Sequence, residues 1–215
     1  MRWGMAIELK RCIACNSCAI ACKAEHFVPP GIFWGRVLIG EQGKYPAVTK
    51  LKYSVRCNQC GDPKCVEVCP TGATQQREDG IVWIDETKCV GCRYCMVACP
   101  YQMRSIYEDA GEGYFPGQGF TEHEKMGRLL YPHQLGAVQK CIFCKERIDA
   151  GMEQGLTPGV DPDASPACMV SCPTKAIHFG DLDDPNSDIV ALIKEKKGHQ
   201  FHPEFDTDAS IYYID

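Results

Sequence analysis

Sixteen cysteines are the residues through which this 215-residue chain could do chemistry. They fall into four groups of four with none left over: Cys12, Cys15, Cys18 and Cys22; Cys57, Cys60, Cys65 and Cys69; Cys89, Cys92, Cys95 and Cys99; Cys141, Cys144, Cys168 and Cys172. Groups one and three read C-x2-C-x2-C-x3-C, group two has four residues after its second cysteine, and group four has 23 residues there. The spacing of groups one and three is that of a bacterial [4Fe–4S] motif, so we predict iron–sulfur clusters.

This spacing has a physical reason. Three cysteines at positions i, i+3 and i+6 of a tight loop can wrap three corners of one cubane. The fourth cysteine lies on the helical turn that follows and points away, so it serves a second cluster. Pro70, Pro100 and Pro173 follow the last cysteine of groups two, three and four, and each ends that turn because proline has no amide proton.

Disulfides and structural zinc are two alternative uses of these cysteines. Disulfides are disfavoured because the C-x2-C pairs are too close in sequence for ordinary bridging, and because no signal peptide supports a secreted scaffold. Zinc sites also use C-x2-C pairs, but they rarely combine three cysteines spaced by two residues with a fourth after three. Four cysteines per cluster therefore predict four [4Fe–4S] clusters.

The crossing rule predicts which cysteines share a cluster. Groups two and three are adjacent and pair with each other, which leaves groups one and four, near the two ends, to pair by default. The predicted ligand sets are Cys57, Cys60, Cys65 and Cys99; Cys69, Cys89, Cys92 and Cys95; Cys12, Cys15, Cys18 and Cys172; and Cys22, Cys141, Cys144 and Cys168. One two-cluster module is thus inserted, in sequence, inside another.

Short strands and helical turns must position these cysteines. A Cys-Pro-Thr segment occurs at Cys69 and again at Cys172, each time followed by an alanine and an apolar run, which indicates an internal repeat. The predicted fold is α+β, with two interleaved bacterial dicluster ferredoxin-like modules and extra loops. The predicted domains are an outer ferredoxin module from residues 1–55 and 138–185, an inner ferredoxin module from residues 56–110, a partner-contact link at residues 111–137 and a C-terminal tail at residues 186–215.

Charge and hydropathy exclude several classes of protein. The net charge of −5 argues against a nucleic-acid binder, which would be basic. No apolar run reaches the length of a membrane-spanning helix, and the first residues show no export signal. We therefore expect a chain that is cytoplasmic or membrane-associated without spanning the membrane. We expect it in the periplasm only if it is co-exported with a signal-bearing partner.

Four clusters with their thiolates would add about −8 to the charge of the chain. Nearby cations should offset this charge and raise the reduction potentials of the clusters. The candidates are Lys10, Arg11, Lys23, Arg56, Lys64, Lys88, Arg93, Lys140 and Lys145. The alternative for each of them is a solvated surface charge.

No catalytic site is recognised outside the cysteines. The histidines are scattered and are interpreted as surface or packing residues: His26, His123, His133, His178, His199 and His202. The glycines of the link do not follow a strand or open a helix, so a nucleotide loop is disfavoured, and a loop that contacts a partner chain is preferred to a plain solvated loop. Because every cluster uses four cysteines, electron transfer is the chemistry that remains.

The cysteine groups and their neighbours resemble the four-cluster ferredoxin-like subunits of molybdopterin oxidoreductases of the DMSO reductase type. The similar segments are Cys57–Cys65, Cys69–Ala73, Arg77–Val82, Cys89–Cys95 and Lys140–Cys144. The resemblance implies a large catalytic partner with a molybdenum or tungsten bis-pterin cofactor, and often a membrane subunit that reacts with quinol. Some members replace one cysteine of the third group by tryptophan and hold a [3Fe–4S] cluster, whereas all four cysteines are present here.

Two functions remain open at this point. The chain is either an electron wire between such a catalytic subunit and a quinone-reactive membrane subunit or soluble acceptor, or a free polyferredoxin that shuttles electrons between soluble enzymes. The long link and tail favour the wire, because a diffusing carrier needs no large docking loops. In both cases the chain has no catalytic site of its own.

Overall fold

Helices and strands are mixed along the chain in a computed structural model that describes residues 1–108, 111 and 113–215. The strands are β1 Trp3–Glu8, β2 Gly35–Lys44, β3 Ala47–Arg56, β4 Thr74–Gln76, β5 Val82–Ile84, β6 Ser105–Ile106, β7 Val138–Gln139, β8 Ile177–Asp181, β9 His199–Gln200 and β10 Ile211–Ile214. The α-helices are α1 Ser17–Glu25, α2 Lys64–Glu67, α3 Tyr94–Val97, α4 Glu122–Leu130, α5 Lys145–Glu153, α6 Ala167–Val170 and α7 Asp188–Glu195, and 3₁₀ turns occupy Pro162–Ala164 and Pro203–Phe205. The predicted mixture of helix and strand is confirmed.

A four-stranded sheet in the order β8–β1–β10–β9 brings the two ends of the chain together. Met5 of β1 lies opposite Phe179 of the antiparallel β8 and opposite Ile211 of the parallel β10. Every residue of β1 is buried, as expected for an apolar strand with a neighbour on each side. Residues 186–215, predicted as a tail, thus contribute an inner strand to this sheet.

Short helices connect the third cysteine of each group to the fourth. Each of α1, α2, α3 and α6 begins one residue before the third cysteine of its group. In groups two, three and four the helix stops before the last cysteine, and a proline follows that cysteine. Group one lacks this proline, and α1 accordingly continues past Cys22 to Glu25.

In the described ranges, three strand pairs lie outside the sheet: β2–β3, β4–β5 and β6–β7. The first is a long hairpin with ten residues in each strand, and its last residues Ser54, Val55 and Arg56 are buried next to group two. The third pair joins Ser105 to Gln139 and so closes the link between groups three and four. The link contains α4.

The hydrophobic core combines strand residues with cysteines. Met5, Ile7 and Ile211 have no exposed surface, and they belong to one cluster of buried residues that also contains Cys22, Cys57, Cys141, Cys168 and Cys172. Cysteines from groups one, two and four are therefore shielded from water by the same core. None of the helices in the described ranges is both long enough and apolar enough to cross a membrane.

Candidate metal centres

Each cysteine group has a residue in the left-handed conformation directly before its second cysteine. These residues are Ala14, Gln59, Gly91 and Phe143, with φ of 58°, 46°, 68° and 53°. Outside glycine this conformation costs roughly 1–2 kcal/mol per residue. It also turns successive amide groups toward one side and forms a concave nest for an anion, as at many iron–sulfur sites. The four groups are therefore repeated in backbone conformation as well as in sequence.

Two cavities lie among the cysteines of groups two and three. The lining of the first includes Cys57, Cys60, Cys65 and Cys99. The lining of the second includes Cys69, Cys89, Cys92 and Cys95. Each cavity thus takes three cysteines from one group and one from the other.

A third cavity lies among groups one and four. Its lining includes Cys22, Cys141, Cys144, Cys168 and, in addition, Cys18. The volume of this third cavity is about 400 Å³, and the volumes of the first and second are about 380 and 310 Å³. Part of each volume is open to solvent. The three cavities are therefore alike in lining, since each is formed by at least four cysteines.

The remaining cysteines belong to the fourth predicted set. Cys12 and Cys18 pack against the hydrophobic core that contains Cys172, whereas Cys15 is exposed. Cys18 also reaches the third cavity, so this set lies next to the set of Cys22.

Backbone amides donate hydrogen bonds to several cysteine sulfurs. The amides of Thr74 and Ala176 each lie 3.3 Å from the sulfur of the last cysteine in their group, Cys69 and Cys172. The two amides lie just after the repeated Cys-Pro-Thr segments, five residues past Cys69 and four past Cys172. At Cys69 burial raises the pKa of the thiol, but the hydrogen bonds to its sulfur, above all that from the Thr74 amide, outweigh burial and lower this pKa to about 7.

The chemistry of the donor set fits an iron–sulfur cluster. Burial, followed by the charge of neighbouring cysteines, raises the pKa of Cys60 to about 12 and that of Cys141 to about 11. Several thiolates in such a site repel one another and lack water, so they need a cationic core to compensate them. Iron held by cysteine sulfur provides that core.

The nine cations proposed from the sequence separate into two kinds. Arg56 and Lys140 are buried. Lys140 donates to the carbonyl oxygen of Cys141 at 2.9 Å and to that of Val82. Several of the others pair with surface carboxylates, as Lys64 does with Asp62 at 2.8 Å. Among the nine cations, only Arg56 and Lys140 are therefore both buried and in contact with a cysteine residue.

Sequence reasoning missed two residues beside the cysteines, Arg104 and His26. Arg104 is buried and lines the cavity of Cys57. His26 is also buried, its ring stacks on Trp34, and its Nε2 lies 3.2 Å from the sulfur of Cys144. Burial lowers the pKa of His26 to about 4. Neither residue belongs to a cysteine motif, so no local pattern could have identified it.

Comparison with known proteins places the chain in a family. Residues 48–114 match the family model described as a 4Fe-4S dicluster domain. A protein of Halobacterium salinarum named as a dimethyl sulfoxide reductase iron–sulfur subunit is 40% identical, over 99% of this chain and 78% of that protein. A subunit of the selenate reductase of Mesobacillus selenatarsenatis is 37% identical, over 100% of this chain and 72% of that protein. The arsenate respiratory reductase iron–sulfur subunit of a Shewanella species is 33% identical, over 100% of this chain and 96% of that protein.

These relatives cover nearly the whole chain, well beyond the single matched domain. The cysteine groups, the cavities between them and the relatives agree on one assignment. The chain therefore belongs to the ferredoxin-like iron–sulfur subunits of DMSO reductase-type molybdopterin oxidoreductases, and it is an electron-transfer subunit with four [4Fe–4S] clusters.

Proposed function

We propose that the chain relays single electrons between a molybdenum or tungsten bis-pterin catalytic subunit and either a quinone-reactive membrane subunit or a soluble acceptor. The names of the relatives support this proposal, because they are subunits of reductases for dimethyl sulfoxide, selenate and arsenate. The observation that carries it is the set of cysteine-lined cavities of similar size. Each bound [4Fe–4S] cluster supplies a one-electron couple.

The proposal assigns the cysteines to clusters as the crossing rule predicts. The ligand sets are Cys57, Cys60, Cys65 and Cys99; Cys69, Cys89, Cys92 and Cys95; Cys22, Cys141, Cys144 and Cys168; and Cys12, Cys15, Cys18 and Cys172. The lining of the three cavities supports the first three sets. The packing of Cys12 and Cys18 against the core cluster that contains Cys172 supports the fourth.

In this proposal the modules are interleaved, with residues 1–55 and 138–185 around residues 56–110. The pairing of β1 with β8 supports it, because it joins the regions of groups one and four. Gln59 supports contact between the modules: its Nε2 donates to the carbonyl oxygen of Cys141 and its Oε1 accepts from the amide of Val82, both at 2.7 Å. The chain's own residues thus hold the clusters in one continuous core.

The link at residues 111–137 is proposed to contact the catalytic subunit. Its helix α4 carries Leu129 and Leu130 with 82% and 70% of their surface exposed. Apolar side chains grouped on a surface helix are typical of an interface. In this scheme the chain works in the cytoplasm or at a membrane surface, and in the periplasm only if a signal-bearing partner carries it there.

Anaerobic purification from the native source, with metal analysis of every protein that co-elutes, tests the function. We expect about sixteen iron per chain and molybdenum or tungsten in a larger partner. Sixteen iron with no partner at any ionic strength would instead favour the free polyferredoxin. Zinc in place of iron would contradict the whole assignment.

Paired cysteine variants test the ligand sets. The double variant Cys57→Ala/Cys99→Ala removes two ligands of one proposed cluster and should retain about twelve iron, whereas Cys57→Ala/Cys95→Ala touches two clusters and should retain about eight. If the groups did not cross, Cys95 and Cys99 would share a cluster, and both variants would retain the same amount of iron. The second double variant is the matched control, since both replace two cysteines of the same two groups.

A further inference from the structure

Two arginines are buried among the cysteines. Arg56 is 3% exposed and Arg104 is 7% exposed. Arginine is rarely buried without a charged partner. Arg56 and Arg104 each line a cavity formed by cysteines. Their counter-charges are therefore cysteines.

Arg56 connects two of the proposed ligand sets. Its Nη1 donates to the sulfur of Cys168 at 2.8 Å, and its Nη2 donates to the hydroxyl oxygen of Ser54. That hydroxyl lies 3.4 Å from the sulfur of Cys18. Because the hydroxyl accepts from the arginine, its own proton is free for Cys18. One hydrogen-bonded bridge thus runs from Cys168 of one set to Cys18 of the next.

Arg104 connects the two proposed ligand sets of groups two and three in a similar way. Arg104 lines the cavity whose cysteines include Cys65. Its Nη1 donates to the hydroxyl of Thr74 at 3.3 Å, and the amide of Thr74 donates to Cys69. Cys65 belongs to one proposed cluster, whereas Cys69 belongs to the other.

Each arginine also has one buried N–H group that forms no hydrogen bond with the described residues. These groups are Nε of Arg56 and Nη2 of Arg104. An unpaired buried donor is costly. Both arginines line cysteine cavities, and a cluster with its four thiolates carries a charge of about −2. An anionic cluster is therefore the acceptor that suits these donors.

We propose that Arg56 and Arg104 tune the reduction potentials of the clusters, each acting on the two clusters of its own module and raising both potentials. This inference rests on the ligand sets proposed above. Reduction adds one negative charge to a cluster, so a positive charge held in the dry interior favours the reduced form. Hydrogen bonds to the ligand sulfurs act in the same direction. Because each arginine lies beside one cluster cavity and connects through a hydrogen-bonded Ser54 or Thr74 to a cysteine of the other set, its effect is shared within that module and weak outside it.

Redox titration of the anaerobically purified complex, followed by electron paramagnetic resonance, tests this on Arg56→Met and Arg104→Met. We expect Arg56→Met to lower the potentials of the clusters of groups one and four, and Arg104→Met to lower those of groups two and three. The shift should correspond to at least a tenfold change in the reduction equilibrium, which is about 59 mV for one electron. The cysteine variants described above assign each potential to its module.

Three variants serve as controls. Arg36→Met removes an exposed arginine of β2 and should leave all four potentials unchanged. Arg56→Lys and Arg104→Lys keep the charge and should shift the potentials by less than half as much as methionine does. If a methionine variant fails to assemble, Arg56→Gln or Arg104→Gln, which also removes the charge, takes its place.

Iron analysis separates this inference from the proposed function. Wild-type protein with far fewer than sixteen iron, or without a metal-bearing partner, would contradict the function. Variants with full iron content and unchanged potentials would overturn the tuning role while the function stands. Equal shifts of all four clusters, or lysine variants that shift as far as methionine variants, would also overturn it, because both outcomes indicate a general loss of packing.

Discussion

Replacement of Gln59 by alanine should weaken the hold of the protein on its clusters. The side chain of Gln59 has no exposed surface and lies where group two meets group four. Its amide nitrogen donates to the carbonyl oxygen of Cys141 and its oxygen accepts from the amide of Val82, both at 2.7 Å. Alanine removes both contacts but keeps the Cβ, so the left-handed backbone at this position is unaffected.

The cost can be worked from these contacts. The Cys141 oxygen still accepts from Lys140 at 2.9 Å, so the main loss is the partner of the Val82 amide. An unpaired buried amide costs roughly 1–3 kcal/mol, and a lost buried methylene group costs about 0.8 kcal/mol. We therefore expect a destabilisation of roughly 3 kcal/mol, which is about a hundredfold in the equilibrium for local opening.

The rate of iron release measures this change. Holo protein is mixed anaerobically with an iron chelator, and the visible absorbance of the clusters is followed at constant temperature. Gln59→Ala should release iron at least tenfold faster than the wild type. The control Gln75→Ala loses one exposed hydrogen bond, to the carbonyl oxygen of Gly72 at 2.9 Å, and should change stability by less than about 0.5 kcal/mol. Equal release rates for the two variants would refute the view that the buried contacts of Gln59 stabilise the cluster-binding loop of group two.

Three smaller predictions follow from other contacts. Thr121→Ala removes the N-terminal cap of α4 and should destabilise that helix by about 1 kcal/mol. Amide hydrogen exchange should become faster in α4 alone, and a change spread evenly over the chain would argue against this prediction. Asp149→Asn breaks a bidentate, partly exposed ion pair with Arg77, in which both contacts are 2.7 Å. The free energy of unfolding in urea should fall by at most about 1 kcal/mol, and this difference should vanish at high salt. Gly159→Ala places a Cβ against the carbonyl oxygen of Phe179 in β8 at φ +91° and should lower the thermal midpoint strongly. Gly155→Ala, at φ +77° in open space, should cost only about 1 kcal/mol, and equal midpoints of the two variants would contradict the steric reason.

Much of the site was readable in the sequence because cluster ligation is local. The interval of two residues between cysteines determines the loop, and the same left-handed turn recurs at Ala14, Gln59, Gly91 and Phe143. The interval of three residues determines the short helix before the last cysteine, and a following proline ends it. The type of cofactor and the family follow from these patterns, and the comparisons confirm both.

The part played by residues 186–215 could not be read in this way. The run Ile211–Ile214 is short and apolar, and nothing in it distinguishes an inner strand from an edge strand. Ser210 directly precedes this run. Its hydroxyl donates a hydrogen bond to the carbonyl oxygen of Gln59 at 2.7 Å and so stabilises the cysteine loop of group two. A segment set apart by sequence as a tail thus supports a ligand loop.

The sequence by itself determined the number, spacing and chemistry of the cysteines, because most ligands of one cluster lie close together along the chain. Only the tertiary structure decided which other side chains surround them. Arg56 meets the sulfur of Cys168 across 112 residues, and His26 meets that of Cys144 across 118. Both contacts join segments that are far apart along the chain, and a contact between distant segments leaves no periodic trace in the sequence around either residue.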